Sequence, residues 1–276
     1  RDAGNRGDDP QGAGRGVCFG MRRLLFALWL LSAPAGMALA QNSPALYDVY
    51  AQGRYEDAAR AGAAARTAYG YALAARAVMA DAVLRDTPCM ECLQRAEALA
   101  RQAVAADPKL ADGQVLLAVS LGYQSRIKGI FWARMQNYPN QAKAALDAAV
   151  AAEPNNPYAV SALGGWQVEI VRGGGPFLAR QLFGATLGEA MGLFDRAIRL
   201  APANVAVRYQ IALSLAGLDP EAHRARILSE LDAAMRAMPN TAYERRLFSR
   251  AGELKAAMTG DRVKLDVLVR KYQGYP

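Results

Sequence analysis

The sequence has little of what enzyme active sites usually require: one histidine, three cysteines and 21% charged residues in 276 positions. With His223 as its only histidine, the chain offers no credible Ser-His-Asp arrangement. The glycine run at residues 173–175 lacks the Lys-Ser/Thr that follows in a phosphate-binding loop. Paired carboxylates do not converge on a recognisable loop. We therefore expect a protein that is not an enzyme and that holds no cofactor and no metal.

Nucleic-acid binding is also disfavoured, because aromatic residues make up only 8% and no basic block is interleaved with them. The 33 Lys and Arg exceed the 25 Asp and Glu by a mild margin, which fits a solvated surface or an exported protein facing an anionic envelope. Apolar residues are abundant at 53%, and many are alanine. This composition favours a folded, helical protein.

The N-terminal forty residues look like processing signals. Residues 1–20 are rich in Gly, Asp and Arg without periodicity, and we expect a disordered extension that is not part of the native protein. Met21 begins a charged, then apolar segment that ends in Ala-Leu-Ala at Ala40, the layout of a secretory signal peptide. The apolar run at residues 24–31 is far shorter than the roughly 20 residues of a membrane anchor, which is the alternative. We predict a signal peptide at residues 21–40, a folded domain at residues 41–276, and a periplasmic or secreted protein.

A repeated pattern precedes four prolines, Pro108, Pro154, Pro202 and Pro239. Each has alanine five positions earlier and apolar residues eight and twelve positions earlier. These spacings place the small residues on one helical stripe, where a neighbouring helix can approach closely. The residues of the stripe are Ala96, Ala100 and Ala103; Ala142, Leu146 and Ala149; Ala190, Phe194 and Ala197; and Ile227, Leu231 and Ala234.

Large-small pairs follow three of these prolines, at Leu117-Ala118, Leu163-Gly164 and Ile211-Ala212, and a further turn of the same kind begins at Gly53. Over residues 43–258 the pattern resembles the tetratricopeptide repeat (TPR) family, whose unit is about 34 residues of paired helices. The resemblance implies an all-α, right-handed superhelical solenoid of antiparallel helix pairs. Pro108, Pro154 and Pro202 are spaced by more than one such unit, so we expect long inserts between the two helices of two repeats.

These inserts, residues 127–136 and 171–183, combine aromatic residues, glycine and Arg or Lys. In stacked repeats equivalent inserts emerge on one edge, so the two should be neighbours. Their aromatic residues either pack locally or form an exposed apolar and cationic edge that docks a protein partner or a lipid surface. The candidate residues of the edge are Phe131, Trp132, Arg134, Phe177 and Phe183.

The resemblance also implies a concave groove lined by the first helix of each unit. Its implied lining is Asp112, Val115, Val119 and Gly122; Tyr158, Ser161, Gly165 and Val168; Ala206, Tyr209, Leu213 and Ala216; and Tyr243, Arg246, Arg250 and Glu253. Arg246 and Arg250 are four positions apart on one helix face, where they would either grip a carboxylate or be ordinary solvated charges.

Cys89 and Cys92 form a C-x-x-C motif, and we expect Thr87 as the N-cap and Pro88 as the first residue of a helix that has both sulfurs in its first turn. In an oxidising compartment we expect a local disulfide. A dithiol redox site, a metal site and unpaired thiols are the alternatives, but two sulfurs leave zinc two ligands short.

Taken together, these features predict an exported scaffold or adaptor that binds a protein or peptide partner through its groove and insert edge. One alternative is an accessory component of a solute transport system that holds a small apolar ligand. A less favoured alternative is a redox protein that uses Cys89 and Cys92.

Overall fold

A computed structural model describes residues 44–260 and 262–276 of the chain. This part of the protein is all-α, as the sequence predicts, and contains no strand. The expected extension at residues 1–20 and signal peptide at residues 21–40 lie outside the described residues. None of the helices in the described part combines the length and apolar character needed to cross a bilayer.

The described residues form thirteen helices: α1 (Pro44–Ala51), α2 (Tyr55–Ala64), α3 (Ala68–Leu84), α4 (Met90–Ala106), α5 (Ala111–Lys128), α6 (Ile130–Met135), α7 (Tyr138–Ala152), α8 (Pro157–Phe183), α9 (Leu187–Leu200), α10 (Val205–Leu218), α11 (Arg224–Arg236), α12 (Ala242–Thr259) and α13 (Arg262–Gln273).

The four prolines stand just beyond helix ends. Helices α4, α7 and α9 each end two residues before a proline, and α11 ends three residues before Pro239. The intervening residues Asp107, Glu153 and Ala201 leave the helical conformation, with φ of −149°, −131° and −142°. A residue that precedes proline is sterically held away from the helical region, so the sequence ends these helices locally.

The helices pack in two layers. Helices α3, α5, α8, α10 and α12 contact one another in that order, and α4, α7, α9 and α11 pack between successive members of this row. The predicted small-residue stripe of α4, α7, α9 and α11 is buried throughout. The small side chains of the stripe therefore lie at the interface between the two layers, where they let the helices approach closely.

The contact between Gly164 on α8 and Phe194 on α9 shows how close this packing is. A Cβ at Gly164 would lie 2.7 Å from Cδ1 and Cε1 of Phe194, which is closer than van der Waals contact allows. Glycine is therefore required for the buried Phe194 ring to fit against α8.

Both inserts turn away from their helices at a glycine with positive φ. Gly129, with φ of 89°, separates α5 from the short helix α6. Gly175, with φ of 73°, kinks α8 so that its last turns take a new direction. A Cβ on Gly173 would lie 3.0 Å from Cδ1 of Ile130, so the two inserts are in contact, as the sequence predicts.

Helices from the two ends of this part of the chain also meet. Helix α1 contacts α12, and α13 contacts both α3 and α10. Arg250 on α12 donates hydrogen bonds to the carbonyls of Val83 (2.9 Å) and Leu84 (3.1 Å) at the end of α3. Lys271 and Asp86 add an ion pair of 2.7 Å. The row of helices is therefore closed on itself by specific polar contacts.

Candidate functional site

A cavity of about 290 Å³ lies on the face where α3, α5, α8, α10 and α12 come together, with α1 at its edge. Much of its wall is apolar, and the lining includes Met79, Val83, Val115, Leu116, Val119, Ala162, Trp166, Val207 and Ile211. These residues come from α3, α5, α8 and α10 of the inner row. The cavity is therefore a partly open, largely apolar chamber on this face of the helical array.

Most of the positions implied by the TPR resemblance do line this cavity. On α5 all four do so, namely Asp112, Val115, Val119 and Gly122. On the later helices the cavity is lined by Tyr158, Ser161, Gly165, Ala206 and Tyr243. On α5 and α8 the residues implied for the groove therefore lie on the side of the helix that faces this cavity.

Tyr158 is the best-defined polar group of the wall. Its hydroxyl accepts a hydrogen bond of 2.7 Å from Nδ2 of Asn204, and the Arg76 guanidinium lies 5.9 Å from its ring centroid. Burial raises the pKa of Tyr158, against the opposing effects of the Asn204 hydrogen bond and the Arg76 charge. The phenol therefore stays neutral at physiological pH and presents its ring to the cavity.

Tyr209 does not line the cavity, contrary to the prediction. It is 1% exposed, its hydroxyl has no hydrogen-bond partner, and burial raises its pKa well above the usual range. The cavity face of α10 is instead formed by Val207, Gln210 and Ile211 together with neighbouring residues. The α10 sequence is largely apolar and packs on five helices, so it carries no continuous polar stripe that would reveal which face is open. Val168, Leu213 and Ala216 are buried likewise and lie outside the lining.

Arg246 and Arg250 do not form a carboxylate grip. Arg250 is 2% exposed, and its guanidinium is bound to the end of α3 and lies 4.4 Å from the ring centroid of Tyr272. Arg246 is exposed and lies 3.9 Å from Oε1 of Glu253. Neither these arginines nor Glu253 lines the cavity. Arg250 therefore connects α12 to the end of α3, while Arg246 is a surface charge.

Two ion-paired groups stand in the cavity wall. Arg76 Nη2 lies 2.7 Å from Asp112 Oδ2 near the start of α5. Burial opposes the charge of Arg76, but Asp112 together with Tyr50 and Tyr158 outweighs burial and raises the pKa of Arg76. Near the end of α5, Glu169 receives hydrogen bonds from Arg126 (3.0 Å) and Arg172 (2.7 Å). Burial raises the pKa of Glu169, but the two guanidinium groups outweigh it and hold that pKa below its usual range.

The C-terminal end of the chain lies beside the second ion-paired group. Arg126 Nη1 donates to the carbonyl of Gln273 (3.1 Å), and Gln273 Nε2 donates to the carbonyl of Leu213 (3.0 Å). A Cβ on Gly274 would lie 2.8 Å from Cδ1 of Tyr123, a residue of the cavity wall. The chain after α13 therefore packs against the Arg126 end of the cavity.

Cys89 and Cys92 are joined by a disulfide at the start of α4. The expected cap was wrong: Cys89, not Thr87, is the N-cap, and its sulfur accepts the backbone N–H of Cys92 at 3.2 Å. Neither cysteine lines the cavity. His223 is the residue that precedes α11. Within residues 44–260 and 262–276, no cluster of three or more His, Cys, Asp and Glu is placed to bind a metal.

The predicted edge residues divide into two sets. Phe131 and Phe177 are 77% and 74% exposed, and Arg134 is also exposed. Trp132 packs edge-on against Tyr138, with ring centroids 5.1 Å apart, and Phe183 packs similarly against Trp166 at 6.3 Å. Part of each insert therefore packs locally and part is exposed to solvent, so each of the two alternatives drawn from the sequence applies to some of these residues.

Sequence reasoning missed the contribution of α1 and α3, which place Tyr47, Tyr50, Arg76 and Met79 in the cavity lining. Helix α3 is not followed by the Ala-x₄-Pro pattern, which was the strongest repeat signal. Leu73-Ala74 is a large-small pair of the same type as those on α5 and α10, and it is buried. Searching for that pair alone would have located this helix.

Comparison with protein families identifies a match over most of the chain. The family described as regulator of microtubule dynamics protein 1-3 matches residues 39–254, which is more than half of the chain. No curated protein matches the sequence.

Proposed function

We propose that this chain, which belongs to the regulator of microtubule dynamics protein 1-3 family, is a binding protein that holds a small, largely apolar ligand in its cavity. The apolar chamber between α3, α5, α8, α10 and α12 carries this proposal. In this account the protein makes and breaks no bond, and it acts as an accessory that keeps or delivers its ligand, for instance to a solute transport system.

We further propose that the array is a TPR-like solenoid of antiparallel helix pairs. The recurring buried stripe before each proline, the two-layer packing and the contacts along the inner row support it. The contacts between α1 and α12, and between Arg250 and α3, join the ends of such an array. A row of repeats joined in this way encloses a chamber, whereas an open row presents a groove.

The chemistry of the wall indicates an elongated apolar ligand with a polar end. A cavity of about 290 Å³ is at the small end of the range that buries organic ligands, about 300–1,000 Å³. The apolar wall would desolvate a hydrocarbon or aromatic body. The Arg76–Asp112 and Arg126–Glu169 pairs at the two ends of α5 offer hydrogen-bond partners to a polar group without leaving an unpaired charge.

Gly122 provides a direct test, because it lines the cavity and no atom lies within 4 Å of a Cβ built there. Gly122→Leu should fill the chamber without a clash. Gly192→Leu is the matched control, since Gly192 also has open space, on the exposed side of α9 away from the cavity. The probe is N-phenyl-1-naphthylamine, a neutral apolar dye whose fluorescence rises in an apolar site.

We expect the full chain and Gly192→Leu to bind the dye with equal affinity, and Gly122→Leu to bind it at least about tenfold more weakly, a loss of about 1.4 kcal/mol. Dye that binds all three proteins equally would show that it occupies another surface, and the proposal would then be wrong. Circular dichroism on each variant checks that the helices are intact.

A second candidate is the scaffold or adaptor function, in which a polypeptide segment enters the same chamber. It is favoured by an open depression of about 610 Å³ that shares Arg76, Asp112 and Tyr158 with the cavity and extends it past Pro154 and Asn156. A chain lying there could continue out of the chamber. The family description, which refers to regulation of microtubule dynamics, would suit a partner that is itself a protein.

Crosslinking distinguishes the two candidates. A photoreactive residue in place of Asn155, which lines the outer depression, should capture a polypeptide if a peptide occupies the groove. Placed at Arg199 on the exposed side of α9, the same group is the control. If the Asn155 position captures no more polypeptide than the Arg199 position, the small-ligand proposal is favoured.

We also propose that the protein works outside the cytoplasm. A location outside the cytoplasm is supported by the signal-peptide layout of residues 21–40 and by the Cys89–Cys92 disulfide, which an oxidising compartment maintains. N-terminal sequencing of protein recovered from the envelope fraction tests it. Cleavage close to Ala40 is the expected result, and intact residues 21–40 in the cytoplasmic fraction would contradict it.

A further inference from the structure

We propose that the two inserts together form a docking surface for an anionic lipid membrane. The insert surface consists of Ile130, Phe131, Arg134 and Met135 on α6, and of Phe177, Leu178, Arg180 and Leu182 on the last turns of α8, with Lys128 beside them. This proposal concerns the outside of the molecule and does not depend on what the cavity holds.

The insert surface holds most of the large apolar side chains that are exposed in the described residues. Six of the ten such residues are on it, although the inserts are a small part of the chain; they are Ile130, Phe131, Met135, Phe177, Leu178 and Leu182. Since Ile130 lies against Gly173, the two groups form one patch. Continuous exposed patches of this kind mark interaction sites more often than isolated apolar side chains do.

The patch is built twice from the same local sequence. Gly129-Ile-Phe-Trp-Ala-Arg134 and Gly175-Pro-Phe-Leu-Ala-Arg180 share glycine, phenylalanine, alanine and arginine at identical spacing. The backbone also repeats, with φ and ψ of 89° and 161° at Gly129 and of 73° and 163° at Gly175.

The side chains of the two motifs are also disposed alike. The alanines, Ala133 and Ala179, are buried and anchor each short helix, while Phe131 and Phe177 project into solvent. Arg134 and Arg180 are exposed as well. The same side chains are thus presented by two separate segments, which a chance exposure of one loop would not produce.

The charge of the surface identifies the partner. No acidic residue occurs between Asp112 and Asp147 or between Glu169 and Glu189, so both inserts are free of negative charge. In the described part of the chain, Lys128, Arg134 and Arg180 have no carboxylate within ion-pair distance. Exposed apolar side chains with unpaired Lys and Arg beside them are the features with which interfacial segments bind anionic lipid.

A membrane explains this combination better than a protein partner does. Protein interfaces usually deplete charged residues at their core and lysine in particular, while they enrich arginine. A bilayer surface takes phenylalanine and leucine at the acyl boundary, while Lys and Arg extend their charged ends to the headgroups. A polypeptide partner is therefore the alternative outcome of the experiment.

Vesicle sedimentation of the full chain tests the proposal. The vesicles are phosphatidylcholine alone, or phosphatidylcholine with roughly one-third phosphatidylglycerol to supply anionic headgroups. The test variants are Phe131→Ser with Phe177→Ser, and Arg134→Gln with Arg180→Gln. The controls are Met238→Ser, an 82% exposed apolar side chain outside the inserts, and Arg199→Gln, an exposed cation on α9.

We expect the full chain and both controls to sediment with the anionic vesicles. The double substitution Phe131→Ser with Phe177→Ser should lower the partition coefficient at least about tenfold. The double substitution Arg134→Gln with Arg180→Gln should lower the partition coefficient several-fold. High salt should weaken vesicle binding of the unmodified chain by a similar factor. The unmodified chain and the four sedimentation variants carry the same residues 24–31, so a difference between them does not come from that apolar run.

Trp132 lies on α6 between residues of the insert surface and supplies a second readout close to it. The chain has three tryptophans, so Trp29→Phe with Trp166→Phe leaves Trp132 in α6 as the one emitter. Phospholipids brominated on their acyl chains should quench the fluorescence of Trp132 in anionic vesicles. Adding Phe131→Ser with Phe177→Ser to this protein should abolish that quenching. The proposal is overturned if Trp132 is not quenched, or if Phe131→Ser with Phe177→Ser sediments as the Met238→Ser control does.

Discussion

The guanidinium of Arg250 donates hydrogen bonds to the carbonyls of Val83 and Leu84, the last two residues of α3, from a position 166 residues further along the chain. Carbonyls at a helix end lack partners within the helix, and a cation there also interacts favourably with the helix dipole. Helix α3 therefore depends on α12 for its C-terminal cap, and this contact joins the first and last parts of the described array.

Arg250→Leu should destabilise the protein by about 2–4 kcal/mol, because the two carbonyls at the end of α3 lose a charged donor and the site loses a buried guanidinium. Urea unfolding followed by circular dichroism measures the change. Arg246→Leu, one helical turn earlier and exposed, is the control and should change the free energy of unfolding by less than about 0.5 kcal/mol. Equal effects of the two substitutions would mean that Arg250 does not join the helices in solution.

Gly164→Ala should be destabilising by about 1–3 kcal/mol, because the new methyl group would overlap the buried ring of Phe194. Gly192→Ala in the exposed part of α9 should act in the opposite direction and stabilise by up to about 1 kcal/mol, since alanine favours a helix over glycine. Thermal unfolding of the two variants measures the difference. A Gly164→Ala protein as stable as Gly192→Ala would contradict the close approach of α8 and α9.

Glu169 should make stability depend on pH in the acid range. Its pKa is lower in the folded protein than in the unfolded chain, where the ordinary value is 4.5, so its stabilising contribution is complete above that value. As pH falls through the lowered folded pKa, the contribution is lost. Glu169→Gln should therefore cost about 1–3 kcal/mol at neutral pH and flatten the acid loss of stability.

Urea unfolding at neutral pH and at acidic pH checks this prediction. Asp147→Asn removes the exposed Asp147–Lys143 pair, where the carboxylate is half exposed, and should change stability by at most about 1 kcal/mol. If Glu169→Gln and the unmodified chain lose the same stability on acidification, the Arg126–Glu169–Arg172 group does not form as described.

The Cys89–Cys92 disulfide should contribute little to stability. It closes a loop with a sequence separation of 3, for which chain entropy gives about 2 kcal/mol at most. Cys89→Ser with Cys92→Ser should lower the free energy of unfolding by no more than that and should leave dye binding in the cavity unchanged. Loss of binding in this variant, or reduction of insulin disulfides by the unmodified protein, would favour the redox alternative.

The helices and their packing faces could be predicted from the sequence because the signals are local. Proline ends a helix by sterics within the chain, and alanine at fixed spacing marks a close-packed stripe wherever it occurs. The contact between the inserts followed similarly from their equivalent places in the repeat.

The residues that the sequence misassigned depend on contacts that no local pattern contains. Tyr209 is buried because α10 packs on several helices, and Arg250 is buried because α12 returns to α3 over a long stretch of chain. Their sequence neighbourhoods resemble those of the exposed Arg246 and the cavity residue Tyr243. By contrast, the repeated Gly-x-Phe-x-Ala-Arg motif is present in the sequence, and a direct comparison of the two inserts reveals it.

The mass of the intact, unmodified chain under non-denaturing conditions tests the central claim that the cavity holds a small ligand. Native mass spectrometry of freshly purified protein should show a mass above that of the polypeptide, which denaturation removes. Gly122→Leu should lack the excess and Gly192→Leu should retain it. An unmodified protein of polypeptide mass that also fails to bind N-phenyl-1-naphthylamine would contradict the account.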